Sequence, residues 1–152
     1  MIAFDNILEV ARPPELVFAA LADLTRVPDW NYNVRSVTQV TPGPVTIGTI
    51  FHQVRQDDEQ DFEITALEAP RRLTVATLPR SRPTFRRDIE VAAVGAGSRV
   101  TDRWQLDTGQ PEMIQRLGRT LAQRAVAQSL GCLRELLESG NTRLPDGRTV
   151  RW

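Results

Sequence analysis

The segment from Pro111 to Glu138 constrains the fold of this chain more than any other. Ile114, Leu117, Leu121, Ala125, Cys132 and Leu136 recur at helical spacing, and Val126, Leu130, Leu133 and Leu137 widen the stripe. Pro111 suits a helix start, Glu112 suits the first turn, and Gly140 suits the position after the end. At about 1.5 Å per residue such a helix is roughly 40 Å long. In a chain of 152 residues, enough for one domain, it must lie across the whole of whatever precedes it. The stripe is then expected to face that body, with Arg116, Arg119, Arg124 and Arg134 facing water.

What precedes it reads as strands. Residues 2–11 alternate, with Ile2, Phe4, Asn6, Leu8 and Val10 on one face. Pro13-Pro14 stops this strand and opens a short helix over 14–24, with a second short turn reaching Trp30 and punctuated by Pro28. Further strands are predicted at Val34–Val40, Thr49–Arg55, Asp61–Glu68, Leu73–Leu78, Phe85–Val94 and Ser98–Asp107. Turn residues separate them, and Gly95-Ala96-Gly97 is a hairpin turn because no third glycine or helix follows. This order predicts an α+β helix-grip fold. A curved antiparallel sheet of six to seven strands wraps a long C-terminal helix, with one or two short helices after the first strand. Residues 1–139 are expected to form the domain. Residues 140–152 form a C-terminal tail with a Pro145-Asp146-Gly147 turn that either adds a small hairpin or stays mobile.

Composition removes whole classes of chemistry. All 19 basic residues are arginine; there is no lysine, one histidine (His52) and one cysteine (Cys132). Schiff-base catalysis and a P-loop both need a lysine. A structural zinc site needs four Cys or His ligands, so no metal and no cofactor is expected. Cys132 reads as a small buried apolar residue. Net charge is zero, which argues against nucleic acid as a partner. No apolar run reaches the roughly 20 residues of a membrane span, and Met1-Ile2-Ala3-Phe4-Asp5-Asn6 lacks the segments of a signal peptide; the expectation is a cytoplasmic protein.

The strand-to-helix junction Val10-Ala11-Arg12-Pro13-Pro14-Glu15-Leu16-Val17-Phe18 resembles the entry motif of the START-like (Bet v 1-like, SRPBCC) superfamily, in its polyketide cyclase/dehydrase and lipid-transport branch. Four further stretches are similar to that branch: Asp23-Leu24 with Val27-Pro28-Asp29-Trp30-Asn31, Val45–Phe51 with Gly48, Glu63–Pro70, and the long helix with Leu136 and Leu137 near its end. The resemblance covers about residues 2–138. It implies a deep, largely apolar pocket between sheet and long helix for a lipid, sterol, polyketide or other hydrophobic molecule. It implies no common set of catalytic residues.

Strand alternation nominates the polar residues of such a pocket. With Phe51 inward, Gln53 and Arg55 are inward and His52 is outward. Asn6, Arg87, Asp102 and Trp104 fall on inner faces of their strands. The ligand-lining candidates are therefore Asn6, Leu8, Trp30, Tyr32, Phe51, Gln53, Arg55, Arg87 and Trp104 from the sheet side. Ile114, Leu117, Gly118 and Leu121 are those from the helix. Gly118 either leaves room for a ligand or is a tolerated helix glycine. Arg55 and Arg87 read either as strand arginines reaching water or pairing with Asp102, or as groups that bind an oxyanion.

Three functions follow. The first is binding of a small hydrophobic, lipid- or polyketide-like molecule. The second is a cyclase or dehydratase in which Arg55 or Arg87 stabilises an enolate and Asp102 or Tyr32 moves a proton. The third is a protein-interaction module, for example a homodimer, using the charged strands or the Trp152 tail. Residues 57–68 carry six acids and no base, and residues 71–87 carry six arginines and no acid. Cross-strand pairing of these blocks is the expectation.

Overall fold

The structure is a computed structural model that describes all 152 residues. Its elements run β1 (Ile2–Val10), α1 (Pro14–Ala22), a 3-10 turn (Leu24–Asp29), β2 (Val34–Gln39), β3 (Ile50–Arg55), β4 (Glu59–Glu68), β5 (Arg72–Thr77), β6 (Thr84–Val94), β7 (Gly97–Asp107), α2 (Glu112–Ser139), β8 (Asn141–Arg143) and β9 (Thr149–Arg151). Seven strands form one antiparallel sheet in the order β1-β7-β6-β5-β4-β3-β2. The last long strand therefore closes back on the first, and α2 lies across the inner face. This is the helix-grip architecture that the element order predicts.

Strand alternation explains the inner face. Phe51, Phe62, Ile64, Leu73, Val75, Ile89, Val91 and Val100 are all buried, and most of their chain neighbours are more exposed; Thr74, between Leu73 and Val75, is also buried, its hydroxyl donating to Asp88 Oδ1. A chain of aromatic contacts crosses the sheet. Ring centroids are 5.5 Å apart for Phe51–Phe62, 5.7 Å for Phe62–Phe85, 5.5 Å for Phe85–Trp104 and 6.3 Å for Phe4–Trp104. Each such pair contributes about 0.5–1.5 kcal/mol beyond its area burial.

The C-terminal half of α2 packs as expected: Leu130, Cys132, Leu133 and Leu136 are buried. Gly140 takes φ +79° and donates its N–H to Leu136 O at 2.9 Å, ending the helix in a left-handed cap.

The N-terminal half departs from expectation. Ile114, Leu117 and Leu121 are 49%, 75% and 71% exposed, so the predicted stripe does not face the sheet there. The inward row is instead Gln115, Ala122, Ala125, Val126 and Ser129. The cause is the unpaired edge of β1. Arg119 Nε donates to Ala3 O at 2.9 Å, and Gln123 Nε2 donates to Asp5 O at 3.0 Å. Gln115 donates to Asp107 Oδ1 and Gln110 O. Arg119 and Gln123 thus satisfy carbonyls of the β1 edge that would otherwise invite another strand, and with Gln115 they hold the helix in this rotation. A Cβ at Gly118 would meet no atom within 4 Å, so a side chain there would enter open space.

The charge blocks also pair differently from expectation. Asp61 and Glu59 bond His52, and Asp58 lies 3.8 Å from Arg55. Arg72 and Arg86 pair with Asp88. The uncharged middle of β5 separates the acids of β4 from the arginines of β6.

The tail forms the β8–β9 hairpin, and its Thr142 and Leu144 are buried against the domain. Trp152 Nε1 donates to Asp29 Oδ2 at 2.9 Å, and the Arg26 guanidinium lies 4.4 Å from the centre of the Trp152 ring. The hairpin thus grips the 3-10 turn.

Candidate functional site

A cavity of about 130 Å³ lies between the sheet and the middle of α2. Every layer contributes to its wall. Leu24, Val27 and Trp30 come from the 3-10 turn and its end, and Asn31, Asn33 and Val34 from the chain entering β2. Phe62, Val75, Phe85, Trp104 and Phe4 supply the sheet floor, and Ala122, Ala125, Val126 and Ser129 the helix side. Small residues on α2 leave the void: four side chains no larger than valine face the aromatic row.

The polar wall residues fall into two groups. Toward solvent stand Asn31, Asn33, Gln53 and Arg55, all partly exposed. Gln53 Nε2 donates to Gln60 Oε1 at 3.0 Å, and the Gln60 amide, fully buried, reaches Pro83 O. On the other side of the aromatic row sits Arg87, 8% exposed. Its Nε donates to Asp102 Oδ1 at 2.7 Å and its Nη2 to Asp102 Oδ2 at 2.8 Å. Trp104 Nε1 donates to the same Oδ2 at 3.0 Å. The guanidinium carbon lies 5.0 Å from the Trp104 ring centre and 5.7 Å from that of Trp30. Paired fork to fork with a carboxylate and flanked by two indole faces, this arginine is held in one geometry. The Trp30 indole N–H is buried and has no acceptor.

Among the sequence-derived candidates, Trp30, Gln53, Arg55, Arg87 and Trp104 lie in the wall. The others do not. Asn6 is under α2, where its Nδ2 donates to Gln123 O at 3.2 Å, because β1 runs directly below the helix. Leu8 packs into the core beside it. Phe51 is stacked behind Phe62, which takes the wall position. Tyr32 packs against the core from the side, and only its backbone carbonyl bonds a neighbour, Gln56. Ile114, Leu117, Gly118 and Leu121 are turned away with the rotated half of α2. Asp102 is wholly buried behind Arg87, with both oxygens occupied, so it faces no part of the cavity. His52 is on the outer face, as alternation predicts. Its pKa is raised by hydrogen bonds first to Asp61 and then to Glu59.

Alternation on β4 and β6 marks Phe62 and Phe85 as inward. Nothing local distinguishes a wall residue from a packed one, and the small helix residues carry no signal of their own.

The family model described as polyketide cyclase/dehydrase and lipid transport matches residues 1–138. The chain belongs to this family. Its place in the START-like, Bet v 1-like superfamily agrees with the solved structures it resembles. A START superfamily protein from Mycobacterium smegmatis superposes with a TM-score of 0.71 at 12% identity, covering 89% of this chain and 98% of that one. DR_A0006 from Deinococcus radiodurans gives 0.68 at 17% identity over 91% of this chain and 98% of that one. The di-domain ARO/CYC StfQ of the steffimycin biosynthetic pathway gives 0.68 at 15% identity, over 89% of this chain and 44% of that protein. Among curated proteins none matches by sequence. At these identities the likenesses establish the shared fold. The cavity is small beside pockets that take drug-sized ligands, which measure about 300–1,000 Å³. No helix of the chain is long and apolar enough to cross a membrane.

Proposed function

We propose that this protein binds a small hydrophobic molecule in the cavity between the sheet and α2, and that it does so without transforming it by acid–base chemistry. The observation that carries this reading is the make-up of the wall. Thirteen of nineteen wall residues are hydrophobic, which suits an apolar guest. The only ionisable wall residues are Arg55 and Arg87, and arginine neither gives up nor takes a proton near neutral pH. The Ser129 hydroxyl is engaged with Ala125 O. A cyclase or dehydratase that shuttles protons needs a carboxylate, imidazole, thiol or phenol in reach, and the wall holds none. Asp102 and Tyr32, the proton carriers of the enzyme reading, stand outside it.

The volume bounds the guest. An apolar cavity of about 150 Å³ accepts one benzene. A single ring or a short branched chain fits the present 130 Å³; a fused multi-ring polyketide or a diacyl lipid needs the walls to move.

Native mass spectrometry of the protein from its own host, with thermal melting against one-ring apolar compounds, tests the reading. A bound small molecule recovered unchanged, and melting points raised by compounds of this size, are expected. Turnover of the bound compound, or no stabilisation by any of them, contradicts it.

A further inference from the structure

We infer that the cavity recognises a neutral oxygen acceptor, such as a ketone or ester carbonyl on a one-ring body, through Arg87, and that it discriminates against a carboxylate of the same size. The inference rests on the binding reading above and adds the polarity of the guest.

Arg87 has five N–H groups. One on Nε and one on Nη2 are committed to Asp102, and Nη1 bonds no protein atom. Arg87 belongs to the wall, so the uncommitted side of the guanidinium is the polar feature available to a guest at this end. This free position is a donor, and it therefore calls for an acceptor.

The charge balance decides which acceptor. Arg87 and Asp102 are both buried, and each cancels the other. The indole faces of Trp104 and Trp30 add electron density around the same cation. A carboxylate entering this end would bring a second negative charge for one positive charge already spent. The other wall cation, Arg55, stands on the solvent side, 3.8 Å from Asp58. The carboxylate would lose its water without gaining a counter-charge. A carbonyl loses far less hydration and still accepts from Nη1.

Calorimetry with ethylbenzene, acetophenone and benzoate, three probes of similar size, tests this on the full chain. Acetophenone should bind about tenfold more tightly than ethylbenzene, and benzoate no more tightly than ethylbenzene. The acetophenone C=O stretch should move to lower frequency on binding. The double variant Arg87→Met/Asp102→Leu should lose the preference for acetophenone over ethylbenzene. The wild-type series decides by itself if that variant folds poorly. Benzoate as the tightest probe, or acetophenone equal to ethylbenzene with an unshifted C=O band, overturns the inference while leaving the binding reading intact. Failure of all three probes overturns both.

Discussion

Arg87 and Asp102 form a buried fork-to-fork pair, with both donor–acceptor distances under 3 Å and the carboxylate wholly out of solvent. The pair joins β6 to β7 and fixes the only charged group on the inner side of the cavity. Removing one partner strands the other charge in the interior. Asp102→Ala should therefore cost about 3–5 kcal/mol, whereas Arg87→Met/Asp102→Leu should fall within about 1 kcal/mol of the wild type or be more stable. Urea unfolding of the two proteins checks this. Similar losses in both would mean that the pair acts through something other than its buried charge.

Rotation of the N-terminal half of α2 makes a sharp contrast along one helix. Leu117→Gln and Leu121→Gln should change stability by no more than about 0.5 kcal/mol, since both side chains are largely in water. Leu130→Ala and Leu133→Ala should cost about 2–5 kcal/mol each. A large loss at Leu117 would show that its face is covered.

The outer face carries a pH-dependent contribution. His52 has a folded pKa raised by its bonds to Asp61 and Glu59. Its stabilising effect is complete below the unfolded value of about 6.5 and is lost as pH rises through the higher folded value. The ring is partly exposed, so solvent screening holds the effect below about 1 kcal/mol. Unfolding free energies at pH 5.5 and 8.5 should show the gap between wild type and His52→Gln shrinking at the higher pH. A gap that is constant or grows would refute the assignment.

The hairpin holds the cover of the cavity. Trp152→Ala removes the bond to Asp29 and the stacking of Arg26, with an expected cost of about 1–2 kcal/mol. Hydrogen exchange should quicken in residues 24–30 and stay unchanged in β6 and β7. Uniform acceleration would indicate that the tail supports the whole domain rather than the 3-10 turn.

Much of this architecture is legible in the residues. Period-two alternation places Gln53, Arg55, Arg87 and Trp104 on the inner face, prolines open both helices, and a glycine closes α2. The rotation of α2 is not legible, because it depends on Arg119 and Gln123 reaching carbonyls of β1 more than a hundred residues earlier. Alternation likewise cannot say that Phe62 borders the cavity while Phe51 lies stacked behind it. It puts Asp102 inward correctly but cannot show that Arg87 stands in front of it. Those distinctions arise from packing between distant elements. They turn a candidate proton carrier into a group that positions an arginine.

We propose the void beside Ala125 as the binding cavity. Calorimetric titration of ethylbenzene into wild type and Ala125→Phe tests it most directly. The wild type should show one site with a Kd on the order of 0.1–1 mM and a negative heat-capacity change, and Ala125→Phe, whose ring occupies the space, should show no binding. Equal binding by a folded Ala125→Phe, or none by the wild type, would contradict it.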